Sequence, residues 1–113
     1  MKVSINTIPE FDRRAKRLAK KYKSLKSDLQ QLVNTLRQTP TLGTDLGAGI
    51  YKVRLAIASK GRGKSGGGRV ITFTVKLAEP DCYDVTLLTI YDKSEISNVT
   101  DAYIKELLRF LQE

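Results

Sequence analysis

Apolar residues along the chain alternate between two periods, and the changes of period mark the elements. Lys2 to Asn6 (KVSIN) sets Val3 and Ile5 between polar positions, the two-residue period of a strand. From Pro9 onward, Phe11, Ala15, Leu18, Ala19 and Tyr22 recur at helical spacing. Pro9 suits the first turn of such a helix, where its missing N–H would have no partner anyway. Ser24 interrupts the run. A second helix then carries Leu25, Leu29, Leu32, Val33 and Leu36 until Pro40 stops it, and the tight connection predicts an antiparallel helix pair.

After Gly43, Gly47 and Gly49 the period returns to two. Ile50 to Ala58 (IYKVRLAIA) places Tyr51, Val53, Leu55 and Ile57 on one face and Lys52 and Arg54 on the other. Arg69 to Leu77 (RVITFTVKL) and Tyr83 to Tyr91 (YDVTLLTIY) are β-branched runs joined through the turn residues Glu79-Pro80-Asp81. A last helix is predicted from near Asn98 to Asp101, with Ile104, Leu107, Leu108 and Leu111 on one face. The order β-α-α-β-β-β-α predicts one α+β domain over residues 1–113: a mainly antiparallel sheet with the helices packed on one face.

Charge adds a direction of partnership only once its distribution is read. Twenty Lys and Arg against twelve Asp and Glu give a net charge of +8. Residues 1–45 hold ten basic and four acidic side chains, residues 46–78 seven basic and none acidic, and residues 79–113 three basic and eight acidic. A basic excess points to an anionic partner: nucleic acid, an acidic protein or a membrane surface. The acid-free stretch reads either as a solvated sheet face or as a phosphate-facing surface. The second is favoured, because carboxylates there would repel the ligand and pair off the cations.

Absences remove several chemistries. Without histidine and with Cys82 alone, structural zinc, a Ser-His-Asp triad, a Cys-His pair and a histidine-based ribonuclease are excluded. A single cysteine forms no internal disulfide, which fits a reducing cytoplasm. No apolar run reaches the roughly 18 residues of a membrane span, and the N-terminus lacks the apolar stretch of a signal peptide, so no membrane partner is expected. With no Trp, a broad base-stacking platform is also unexpected.

Lys60 to Arg69 reads KGRGKSGGGR, with five glycines and four cations between two strands. Ala58 followed four residues later by Gly63-Lys64-Ser65 loosely matches a nucleotide-binding P-loop. That motif needs a following helix whose N-terminal amides converge on phosphate, whereas glycines and a β-run follow here. Two readings remain: a solubilising hairpin tip, or a loop in which Lys60, Arg62 and Lys64 clamp a nucleic-acid strand that glycine lets approach closely. Lys52 and Arg54 enter this hairpin and Arg69 leaves it, so the three are expected to converge on one concave surface. Arg69 shares its parity with Ile71 and Phe73, and a twist or bulge is expected to turn it outward.

IYKVRLA before a glycine-rich loop, Arg69-Val70-Ile71 opening the next strand, and LLTIYDKSEISNVT before a terminal helix together resemble the RelE/ParE toxin superfamily. The GRGK-SGG-R and YDKSE segments are most similar to its HigB-type branch, and the resemblance runs over essentially the whole chain. It implies a RelE-like fold and the toxin of a type II toxin–antitoxin pair. The RelE and HigB branches cut messenger RNA in the ribosomal A site without metal or other cofactor. The family's catalytic basic pair falls on Lys52 and Arg54, and its transition-state arginine on Arg69. The cation after the fourth strand, an arginine in RelE itself, is Lys93. RelE's tyrosine near the final helix has no match, since Val99 sits nearby; Tyr91 is the candidate substitute.

These residue types suit RNA cleavage by the substrate's own 2′-hydroxyl, which requires alignment, neutralisation of the pentavalent phosphate and two proton transfers. Arg54 and Arg69 would hold non-bridging oxygens, Lys52 would act as a weak general base, Lys93 would protonate or stabilise the leaving oxygen, and Tyr91 would stack on a base or relay a proton. The helix face bearing Arg13, Arg14, Arg17, Lys20 and Lys21 would dock on ribosomal RNA by shape and charge. The implied protein partner is a cognate antitoxin with an acidic or apolar segment. Two other functions stay open at this level: a ParE-like inhibitor of DNA gyrase, and a noncatalytic RNA-binding module.

Overall fold

The computed structural model describes residues 1–61 and 66–112. Its sheet is organised around the longest strand, β5 (Cys82–Asp92). Strand β1 (Lys2–Thr7) lies parallel to β5 on one side, and β4 (Gly68–Lys76) lies antiparallel on the other. Strands β3 (Ile50–Leu55) and β2 (Thr44–Gly47) complete the order β1-β5-β4-β3-β2. Every residue from Val85 to Asp92 is buried; β4 pairs along this stretch to Asp92, whereas β1 pairs only as far as Leu87.

Helices α1 (Pro9–Lys21) and α2 (Leu25–Gln38) cover one face. Their Leu18, Leu25, Leu32 and Leu36 join Val3, Val53, Leu55, Val70 and Ile90 in the core. Leu18, Leu25 and Leu36 are essentially inaccessible, and burying each stabilises the fold by about 2 kcal/mol. Helix α3 (Asp101–Gln112) packs on the opposite face, so the expectation of all helices on one side is corrected. Ile50, which alternates with Val53 and Leu55, meets Ile104 and Leu108 across an apolar groove there. The Tyr103 hydroxyl hydrogen-bonds Thr89 Oγ1 at 2.9 Å. The physical reason lies in β4, where Val70, Ile71 and Phe73 are apolar at both parities. Both faces therefore need cover.

Strand β2 is an addition to the expected order. Its sequence TDLG is fully exposed and shows no apolar alternation. What creates it is the turn Gly47-Ala48-Gly49, whose three residues all have positive φ (92°, 53° and 84°) and fold the chain back onto β3. Gly43 makes the approach to β2 possible: with φ of 104°, a Cβ there would sit 2.5 Å from the Lys52 carbonyl oxygen.

Strand β3 stops at Leu55, three residues before the alternating pattern ends, and a 3-10 turn follows at Ala58–Lys60. Buried Asp28 holds this turn, accepting from the Ala58 N–H at 3.2 Å and from Ser24 Oγ at 2.7 Å. The Ser59 N–H donates to Ser24 Oγ at 2.8 Å. The stem of the glycine-rich loop is thus tied to the start of α2. Among the described residues, no helix is long and apolar enough to cross a membrane.

Candidate active site

Strand register decides which cations meet. Arg54 on β3 pairs with Arg69 on β4, and Arg69 pairs with Tyr91 on β5, so the three share one face in a row across the sheet. Lys52 stands one pleat away, opposite Ile71. With Lys93, Thr44 and Ser97 they line one open hollow of about 240 Å³. Among the described residues its lining holds four cations, a phenol and two hydroxyls, and no carboxylate. Like charges directly opposite across a ladder destabilise a sheet by up to about 1 kcal/mol. The Arg54–Arg69 pairing concentrates positive charge at this hollow.

Arg69 needs no twist or bulge to reach this surface. Ile71 and Phe73, with which it shares parity, lie opposite Lys52 and Ile50, on the α3 face. Parity with apolar residues misled only because that face, too, is partly core. Arg69 is 6% exposed, and its guanidinium donates to the Gly68 carbonyl at 2.9 Å. Arg54 is exposed where β2 ends, and also borders a smaller hollow beside Asp28 and Thr35 of α2. Lys93 is exposed, and its N–H donates to the Gly67 carbonyl at 3.2 Å.

Tyr91 is 2% exposed, which leaves its ring no open face for a base; the stacking role is corrected on this ground. Burial raises its phenol pKa against the opposing pull of the Arg69 charge, so the hydroxyl remains a proton donor at neutral pH. That hydroxyl lies 3.4 Å from Asn98 Oδ1, which also accepts from Lys52 Nζ at 3.0 Å.

Several other candidate cations are engaged by carboxylates. Lys60 does not line the hollow: its Nζ donates to the fully buried Asp92 and, at 3.1 Å, to Ser94 Oγ. Asp92 also accepts from the Tyr22 hydroxyl and from the Ser94 N–H and Oγ. Burial opposes its ionisation, but these hydrogen bonds outweigh burial and hold the carboxyl well below the usual range. On α1, Arg13 and Arg14 pair with Glu10, while Arg17 and Lys21 pair with Glu95. Lys20 is exposed. Arg62 and Lys64, and with them the Gly63-Lys64-Ser65 match, lie outside the described residues.

A family model for the RelE toxin of the RelE/RelB toxin–antitoxin system matches residues 11–112. The chain belongs to this family. It is the toxin of a toxin–antitoxin system, and its family implies an antitoxin partner. In this RelE-family toxin the hollow draws on β2, β3, β4, β5 and the turn after β5, so residues from 44 to 97 meet in one place. Thr44, Ser97 and Asn98 were not singled out as site residues from the sequence. Asn98 read only as a helix start, and nothing local ties it to Lys52, 46 positions away. The acids that engage Arg17, Lys21 and Lys60 are equally hidden, because Asp92 and Glu95 come from the far end of the chain.

Proposed function

We propose that this toxin is an endoribonuclease that cuts messenger RNA on the ribosome, by attack of the RNA 2′-hydroxyl on the neighbouring phosphate and without a metal. The observation that carries the reading is the hollow lined by Lys52, Arg54, Arg69, Tyr91 and Lys93, without a carboxylate among the described residues and with two arginines directly opposite each other. A phosphodiester entering it turns that mutual repulsion into shared attraction, most strongly as the pentavalent phosphate gains charge.

In this mechanism Arg54 and Arg69 hold the non-bridging oxygens. Lys52, in its minor neutral-amine form, takes the 2′-hydroxyl proton, and the ammonium of Lys93, exposed at the rim, gives a proton to the departing 5′-oxygen. Tyr91 contributes its hydroxyl as a donor to the phosphate. The products are a cyclic phosphate and a 5′-hydroxyl. None of these groups is a strong base at neutral pH, which suits slow cutting of free RNA and a ribosome that supplies substrate alignment. The exposed cations of α1, Lys20 among them, extend the basic surface toward ribosomal RNA in the cytoplasm.

Mapping transcript 5′ ends in translating cells after controlled expression tests the proposal. Codon-phased cuts are expected, and Arg69→Ala should lower their rate by about 10²–10³, the cost of removing one donor to a developing oxyanion. Arg69→Lys and a melting curve separate this loss from misfolding. DNA damage with intact transcripts would instead identify a gyrase inhibitor, and RNA binding with neither outcome a noncatalytic module.

A further inference from the structure

Asn98 holds an unusual position above the hollow. Its Oδ1 accepts from Lys52 Nζ at 3.0 Å, from the Tyr91 hydroxyl at 3.4 Å and from the Val99 N–H at 3.0 Å. Convergence of three donors means that the amide oxygen, not the NH2 group, faces them. Lys52 and Tyr91 come from β3 and β5, on either side of β4, and sit diagonally across it: Lys52 opposite Ile71, Tyr91 opposite Arg69. Their meeting point therefore lies over the middle strand, beside the Arg69 row. A cation, a protonated phenol and a backbone N–H aimed at one oxygen form a donor set suited to an anionic oxygen.

We propose that Asn98 Oδ1 is a placeholder, occupying in the free toxin the subsite that a non-bridging phosphate oxygen of the RNA takes on binding. This rests on the reading of the hollow as a phosphodiester site. A neutral amide oxygen keeps Lys52 and Tyr91 oriented without neutralising the cation. It also yields readily, because a phosphate oxygen carries charge and forms the stronger hydrogen bonds. Asn98 is exposed on the segment between β5 and α3, so its side chain has solvent to swing into. Asn98 is thus a positioning residue that sets affinity, and the Val99 N–H is an additional donor to the substrate.

The test uses the full chain and a short oligonucleotide with 2′-deoxyribose at every position, which binds but cannot be cut, followed by fluorescence anisotropy. Asn98→Ala should bind it about fivefold more tightly, since the competing acceptor is gone. Asn98→Asp should bind at least about tenfold more weakly, because a fixed carboxylate neutralises Lys52 and repels phosphate. A merely structural role for Asn98 predicts the opposite sign for the alanine variant. In the wild-type protein, the side-chain amide resonances of Asn98 should shift as the oligonucleotide saturates. Arg69→Ala separates the two levels of the argument. If it weakens binding while Asn98→Ala leaves binding unchanged or weaker, or if the Asn98 amide resonances stay in place, the placeholder is refuted and the site stands. If Arg69→Ala leaves binding unchanged, the phosphodiester reading falls, and the placeholder with it.

Discussion

Replacing Asp92 by Asn should cost this toxin a large part of its stability although it removes no apolar atom. Asp92 is fully buried, and the Lys60 side chain that donates to it is only 9% exposed. The substitution keeps a single acceptor oxygen, enough for the Ser94 donors on Oδ1 or for Tyr22 on Oδ2 but not for both, and deletes the counter-charge, so the Lys60 ammonium is left nearly buried with neutral partners alone. Breaking such a pair from one side costs about 3–5 kcal/mol, against a total of roughly 5–15 kcal/mol for a domain of this size. About 3 kcal/mol is expected here, since Lys60 can still reach Ser94 Oγ. At about 4–8 °C per kcal/mol this lowers Tm by about 12–24 °C. Urea titration followed by circular dichroism would read it as a lower midpoint with an unchanged slope. Lys60→Met in the same chain removes the orphaned cation, so the double variant should lose at least about 1 kcal/mol less than the two single losses added together. A loss below about 1 kcal/mol in Asp92→Asn, or strict additivity in the double variant, would refute the assignment of Asp92 as the buried counter-charge of the loop stem.

Two further predictions concern groups away from the hollow. Thr72 Oγ1 is buried and, among the described residues, has no hydrogen-bond partner, so the near-isosteric Thr72→Val should raise stability by about 1 kcal/mol; a lower urea midpoint would show that the hydroxyl is satisfied. Burial opposes ionisation of Glu10, but hydrogen bonds from Tyr103, Arg14 and Arg13 prevail and hold its pKa at about 2, below the ordinary 4.5. A depressed carboxylate supplies stability that is complete above about pH 4.5 and disappears as pH falls toward 2. After allowance for solvent screening this amounts to about 1–2 kcal/mol. Urea midpoints should fall across that window, and fall less steeply in Glu10→Gln; parallel curves for the two proteins would contradict this.

The long periodic segments were legible. Pro9 begins α1, Leu25 begins α2, and the three long β-runs became β3, β4 and β5 with ends shifted by a few residues. Short-range pattern could not find β2, whose pairing depends on three consecutive positive φ values rather than on side chains. It also could not assign α3 to a face, because apolar residues at both parities of β4 say that two faces are covered but not by what. The candidate site followed from counting along two strands, and register brought Arg54 and Arg69 together as the hairpin required. What counting along a strand cannot supply is burial, and burial is what closes the Tyr91 ring to a stacked base.

Net charge alone overstated the surface available to RNA. Of the cations set aside for nucleic acid, Lys60 is committed to Asp92, Arg14 to Glu10, and Arg17 and Lys21 to Glu95. Most of those carboxylates belong to the acidic last third of the chain, so blocks of opposite charge that are separate in sequence interlock across α1 and β5. Lys52, by contrast, is held by a neutral amide, and Arg54 and Lys93 stand exposed. A cation that has no structural carboxylate is cheap to recruit for an anion, because binding breaks no ion pair; one already paired must first give up that partner. The electrostatic work of the fold and that of the hollow are therefore divided between different side chains.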